Sequence, residues 1–238
     1  MQILGIIPAR YASTRFPAKA LVDIGGKSMI QRVFEQSSKA THLSQIIVAT
    51  DDERILDHVH QFGGKAVMTS ENHQSGTDRC FEALQKTGGN YDYVINIQGD
   101  EPFIDPKQIN LIGDCFEDEN VQLATLIKEI HSEEELFNPN VPKVVIGSQQ
   151  QALYFSRHPI PYLRNPTHNH QYYKHIGIYG YKTATLLEIT QLNPSTLELA
   201  ESLEQLRWIE NGYQIQTKLT DIETIAIDSP NDLLKINF

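Results

Sequence analysis

Three cations, Arg10, Arg15 and Lys19, leave the end of one apolar run near the start of the chain. In a chain of net charge −10 they are a local reversal of sign, and a triphosphate is the natural partner for such a loop. Solvation alone explains one loop cation; three between a buried strand and the next helix point to a ligand. Further on, Ser75-Gly76-Thr77 forms a small turn that would let a planar base approach backbone amides and carbonyls, with hydroxyls free for its polar edge. Either hydroxyl could instead cap the helix that follows. Asp100, in Gln98-Gly99-Asp100-Glu101-Pro102, ends an apolar run at the place where open α/β sheets bind ligands. Asp228 follows a second, short apolar strand, Ile225-Ala226-Ile227, and Ser229 can cap the next helix in its stead. Two carboxylates facing a triphosphate suit Mg²⁺, which takes one or two of them together with phosphate oxygens.

The elements that must carry these residues alternate. Residues 3–7 read as a buried strand that Pro8 stops. Ser28 caps a helix with Ile30, Val33 and Phe34 on one face. Strands follow at 45–50, 65–69, 91–97 and 121–130, with helices opening at Asp51-Asp52-Glu53, after Ser75 and at Pro106. This order predicts an α/β fold, with a mainly parallel central sheet and helices on both faces. Residues 142–182 read differently, as a β-rich insertion within a single domain spanning 1–238; alternation alone allows an exposed sheet edge there, and the resemblance given below implies a substrate lip and dimer surface. Leu199, Leu203 and Leu206 predict the buried stripe of one helix over 197–208.

Composition excludes several classes. A chain of 238 residues with 40% hydrophobic content can bury a continuous core, and its negative charge argues against a nucleic-acid or membrane surface. Two cysteines are too few for a thiolate zinc site or a disulfide framework, and no apolar run approaches the ~20 residues of a membrane span. A cytoplasmic protein is expected. Gly25-Gly26-Lys27-Ser28 imitates the end of a P-loop, but Leu21 stands where the first glycine is needed. No G-x-G-x-x-G fingerprint supports a dinucleotide.

The run from Ile6 to Arg15, with Pro17 and Lys19, resembles the opening signature of the CMP-Kdo synthetase (3-deoxy-manno-octulosonate cytidylyltransferase) family. His73-Gln74-Ser75-Gly76-Thr77, Gln98 to Pro102, Tyr154-Phe155-Ser156-Arg157, Lys174 to Tyr181 and Leu203-Glu204-Gln205-Leu206-Arg207 continue the resemblance in the same order. It departs at Ala18, where the family usually has Gly, and at Asp78, where Glu is common. An alanine at 18 predicts an ordinary backbone conformation there or a slightly less open loop.

The resemblance implies a Rossmann-like nucleotide-diphospho-sugar transferase fold and a Mg²⁺-dependent transfer of CMP from CTP to 3-deoxy-D-manno-octulosonate (Kdo), with release of pyrophosphate, in a homodimer serving lipopolysaccharide assembly. Arg10, Arg15, Lys19 and Asp100 would be catalytic. Arg10, Arg15, Lys19, Ser75, Gly76 and Thr77 would bind the nucleotide, and Gln98, Arg157, Arg164, His175, Tyr179, Glu204 and Gln205 the acidic sugar. Asp100 and Asp228 would hold the metal. Two other readings stay open: a nucleotidyltransferase for another sugar, such as a sialic acid, and a non-catalytic nucleotide sensor.

Overall fold

The computed structural model describes residues 1–12, 16–165, 167–223 and 225–234. In chain order the elements are β1 (Ile3–Ala9), a 3₁₀ turn (Lys19–Leu21), α1 (Met29–Ser37), β2 (Gln45–Thr50), α2 (Glu53–Gln61), β3 (Ala66–Met68), α3 (Gly76–Thr87), β4 (Tyr93–Asn96) and α4 (Pro106–Cys115). They continue as β5 (Leu123–Glu129), α5 (Glu133–Phe137), β6 (Lys143–Ile146), β7 (Ala152–Ser156), β8 (Tyr173–Lys182), α6 (Thr183–Ile189), α7 (Thr196–Glu201), α8 (Gln205–Glu210), β9 (Ile215–Leu219) and α9 (Pro230–Leu233). The chain groups into two compact units: Met1–Gly113 with the segment that starts at Glu223, and Asp114–Ile222.

The first unit carries parallel strands in the order β3-β2-β1-β4. Ile3, Leu4, Ile6 and Ile7 of β1 are wholly buried, which is why this strand reads as an unbroken apolar run. Burial of each such side chain is worth about 1.5–3 kcal/mol. Pro8 does not stop the strand. β1 pairs with β4 only as far as Ile6 opposite Asn96, but with β2 through Ala9 opposite Thr50, so the missing N–H falls beyond the β4 ladder. A Cβ on Gly99 would lie 2.6 Å from the Pro8 carbonyl oxygen, so only glycine lets the backbones approach this closely.

In the second unit the sheet is mixed: β5 runs antiparallel to β8 and parallel to β9, while β6 is antiparallel to β7 and β8. The expected single helix over 197–208 is two. A capping box of Ser195 and Glu198 starts α7, and Ser202 ends it in the left-handed region at φ 51°. Arg207 of α8 then donates to both oxygens of Glu198, at 2.7 and 2.5 Å. Leu203 and Leu206 are buried as expected, but Leu199 is 69% exposed. The break puts it on a separate helix with a different facing.

Candidate active site

At the carboxyl ends of β1 and β4, the first unit opens into a cleft of about 280 Å³. It is lined by Pro8, Ala9 and Arg10 at the exit of β1, by Lys19 and Ala20, by His73 to Gly76 with Arg79, and by Gln98 to Asp100 after β4. Stretches far apart in sequence thus meet because parallel strands deliver their following loops to one edge. Arg10 is exposed. Arg15 lies outside the described residues.

Lys19 is the centre of the charged arrangement. Its Nζ donates to Asp100 Oδ2 at 2.8 Å and to Asp228 Oδ1 at 3.4 Å, with the lysine side chain only 17% exposed. The two carboxylates therefore converge on one point. The route differs from the expected one, because residues 225–228 form no strand. Instead the Ile227 N–H donates to the Asp100 carbonyl at 2.9 Å, while Ile227 packs with Ile24 and Met29 beside Phe16, Phe103 and Leu233. One backbone bond and one buried side chain fix Asp228 beside Asp100. Helix capping falls to Ser229, with Asp232 Oδ2 accepting from the Asp228 and Ser229 N–H groups at 3.2 and 2.9 Å. Hard carboxylate oxygens held together at a ligand-facing edge fit Mg²⁺. No group of three or more His, Cys, Asp or Glu forms a metal cage among the described residues, so remaining ligands would come from phosphate oxygens and water.

Ala18 corrects the expectation of ordinary backbone. Its φ of 56° and ψ of 23° are left-handed, the conformation glycine adopts without strain. The Ala18 N–H donates to the Tyr11 carbonyl at 3.1 Å, which closes the loop and presents Lys19 at the start of the 3₁₀ turn.

On the opposite wall Ser75 is the cap of α3, accepting from the Asp78 N–H at 3.1 Å, and it lines the cleft as well. Gly76 also lines it. A Cβ there would meet Asn96 Nδ2 at 3.5 Å and Pro8 Cγ at 3.6 Å, ordinary contacts, so the protein itself does not demand glycine. Thr77 is buried in the first helical turn and is not part of the lining. Glu101 is buried and likewise outside it; burial, then the charge of Asp100, push its carboxyl up to about 8, so it is an uncharged acid at neutral pH.

His73 and Arg79 line the cleft without having been singled out in the sequence. His73 Nε2 hydrogen-bonds Glu82. Burial opposes ionisation of Glu82, but Lys86, the Ser70 N–H and His73 outweigh it and hold the carboxyl down to about 2. Arg79, 3% exposed, donates to Asp51 Oδ2 at 2.8 Å. Their signal was position: His73 opens the motif that supplies Ser75 and Gly76, and Arg79 lies two residues past its end.

The second unit holds most of the residues expected to meet a sugar; Gln98 belongs to the first-unit cleft. His175 and Tyr179 would stand ~13 Å apart along a regular strand. A register shift between Thr125 and Leu126 puts Gly177 and Ile178 into a bulge of β8, and the two ring centroids come to 5.1 Å. Thr125 Oγ1 donates to the Ile178 carbonyl at 2.8 Å, so it accepts from His175 Nε2 at 3.0 Å and Nδ1 is left as an acceptor. Burial drives the imidazole down to about 3, so it is neutral under physiological conditions. Tyr179 is buried and packed against Trp208, and among the described residues neither its hydroxyl nor the Gln205 amide nitrogen has a hydrogen-bond partner. Such orphaned groups are what a hydroxyl-rich ligand would satisfy. Glu204 is half-buried next to Gln205, and Arg164 is exposed in an irregular stretch.

Arg157 is more occupied than expected. Nε donates to the Glu201 carbonyl at 2.7 Å, Nη1 to Pro139 at 2.9 Å and Nη2 to Ser202 at 3.1 Å. Two of its five N–H groups fasten the end of β7 to the end of α7 and a third ties it to Pro139, after α5.

A parallel α/β sheet whose strand ends gather cations, paired carboxylates and a small-residue turn in one cleft defines a nucleotidyltransferase. The sequence profile described as cytidylyltransferase matches residues 4–222. The 3-deoxy-manno-octulosonate cytidylyltransferase of Parabacteroides distasonis is 57% identical, over 99% of this chain and 96% of that protein. That of Bacteroides thetaiotaomicron is 58% identical, over 98% and 96%. A solved structure of CMP:2-keto-3-deoxy-manno-octonic acid synthetase complexed with CTP superposes with a TM-score of 0.94 at 43% identity, covering 99% of this chain and 96% of that one. The chain belongs to the 3-deoxy-manno-octulosonate cytidylyltransferase family.

Proposed function

We infer that the protein transfers CMP from CTP to Kdo and releases pyrophosphate. The observation that carries this reading is the meeting of Lys19, Asp100 and Asp228 at the cleft that also contains the Ser75-Gly76 turn. The base lies against that turn, and the phosphates lie toward Arg10 and Lys19. The anomeric hydroxyl of Kdo attacks the α-phosphorus in line and gives up its proton to solvent or a nearby carboxylate, the bond from the α-phosphorus to the bridging oxygen breaks so that pyrophosphate leaves, and no covalent enzyme intermediate forms. Incoming phosphate oxygens compete with the carboxylates for the Lys19 ammonium, which then neutralises charge on the transferring and departing groups. Asp100 and Asp228 would hold Mg²⁺, which when bound supplies Lewis-acid polarisation of phosphate oxygen.

The orphaned Tyr179 hydroxyl and Gln205 amide support a hydroxyl-rich ligand in the second unit, and His175 Nδ1 adds an acceptor. Product use in lipopolysaccharide assembly belongs to this reading. So does a cytoplasmic setting; among the described residues no helix is long and apolar enough to cross a membrane. A homodimer completes it. Among the described strands the edge strand β7 pairs with β6 alone, and its Leu153 is 50% exposed, which suits a protein partner.

Pyrophosphate release, measured with CTP, UTP, ATP and dTTP each paired with Kdo, N-acetylneuraminate and hexose 1-phosphates, tests the reading. Release with CTP and Kdo alone is expected. Release only with N-acetylneuraminate would reassign the sugar, and none with any pair would favour a nucleotide sensor.

A further inference from the structure

Asp51 stands just past the end of β2, outside the set of residues assigned to substrate, and its two oxygens serve different parts of the cleft. Oδ2 accepts from Arg79 Nη2 at 2.8 Å; Oδ1 accepts from the Tyr11 N–H at 3.3 Å. Arg79 is a wall of the cleft on the side of Ser75 and Gly76, and its other terminal nitrogen donates to Thr69 Oγ1 at 2.5 Å. Tyr11 directly follows Arg10, and its carbonyl accepts from Ala18, the residue before Lys19. Its ring lies 3.4 Å from the Arg54 guanidinium, which Asp52 holds through two bonds of 2.8 and 2.6 Å. Tyr11 is therefore gripped three times: at N–H, at C=O and on its ring face.

We propose that Asp51 is a positioning residue that ties the cationic loop to the base-side helix, so that Arg10 and Lys19 are set at a fixed offset from the turn that meets the base. The inference rests on the nucleotide reading of the cleft. Asp51 touches neither base nor phosphate; it acts through Tyr11 and Arg79. A carboxylate is needed because it accepts from two directions while neutralising a guanidinium that is almost wholly buried; an amide can offer only one acceptor atom. Arg54, more exposed, limits the swing of the Tyr11 ring from the other side.

A role confined to the fold would weaken all ligands of the cleft together. A positioning role separates them, because cytidine meets only the base side and CTP meets both. The test is calorimetric titration of CTP and of cytidine into the full-length protein and its Asp51→Asn, Tyr11→Ala and Arg54→Ala variants. Asp51→Asn should weaken CTP about tenfold and cytidine less than twofold; Tyr11→Ala and Arg54→Ala should shift the same ratio by about threefold. If Asp51→Asn does not fold, the ratio in the other two variants decides. Equal weakening of both ligands, or no weakening of either, would overturn the tie. Wild-type protein that binds neither CTP nor cytidine would overturn the nucleotide reading, and the tie with it; a wild type that binds both, with the ratio unchanged in every variant, overturns the tie alone.

Discussion

The two polar regions of the molecule are built on opposite principles. In the first unit, charge is gathered at the ends of parallel strands and compensated on the spot, Lys19 by Asp100 and Asp228, Arg79 by Asp51. In the second unit, charge on β8 is confined to Lys174, paired with Glu135, and Lys182 at the strand end, while the bulge between them is neutral: His175 is kept uncharged and, among the described residues, the Tyr179 hydroxyl has no partner. On the proposed reading, phosphates would bring their own charge to the first region, whereas sugar hydroxyls in the second would meet neutral donors and acceptors, since uncompensated buried charge is costly.

The largest effect should come from the charged region. Asp100→Asn and Asp228→Asn should each fold and lose at least about a hundredfold in turnover, on the order of 3 kcal/mol of transition-state stabilisation. Pyrophosphate release under saturating substrates measures it. An active Asp228→Asn enzyme at low Mg²⁺ would return that residue to a purely local role and erase the contrast.

Next comes pH. His175 titrates near 6.5 when unfolded and near 3 when folded, so below 6.5 the unfolded chain binds the extra proton. The stability that its burial as a neutral ring requires is fully present above 6.5 and is lost as the pH falls toward 3, with a slope of at most about 1.4 kcal/mol per pH unit. In His175→Gln, urea midpoints compared between pH 7 and 4 should fall less steeply than in the wild type. Parallel pH profiles would mean that the imidazole charges without penalty and the second region is not dry.

A hydroxyl held in reserve should cost stability. Tyr179→Phe removes the orphan and should raise unfolding free energy by about 1 kcal/mol while raising the KM for Kdo. Lower stability would show that the hydroxyl is already satisfied. In the cleft the matching change is Gly76→Ala, which the protein has room for: stability should stay within about 0.5 kcal/mol, while the added methyl weakens CTP severalfold. Unchanged CTP affinity would take Gly76 out of the ligand wall. The smallest effect is Ala18→Gly, which relieves left-handed strain before Lys19 and should stabilise by no more than about 1 kcal/mol in a thermal melt.

The sequence by itself determined the elements that depend on local pattern. The buried run of β1, the Ser28 and Asp52 caps, the turn before α3 and the position of Asp100 after β4 follow from periodicity and from capping chemistry among neighbouring residues. Only the tertiary structure decided what depends on groups remote in sequence. Nothing near Asp228 names its partner; Lys19, 209 residues away, does, and the Ile227 bond to Asp100 sets the distance. The break after α7 is fixed by Arg207 pulling on Glu198, and the left-handed Ala18 by closure onto Tyr11, neither of which a helical or apolar period can register. Arg157 has the composition of a carboxylate binder, yet three carbonyls brought by the fold claim most of its hydrogen bonds. Side-chain type states what a residue can bind; which partner it meets is settled by the long-range packing that places the competing acceptors around it.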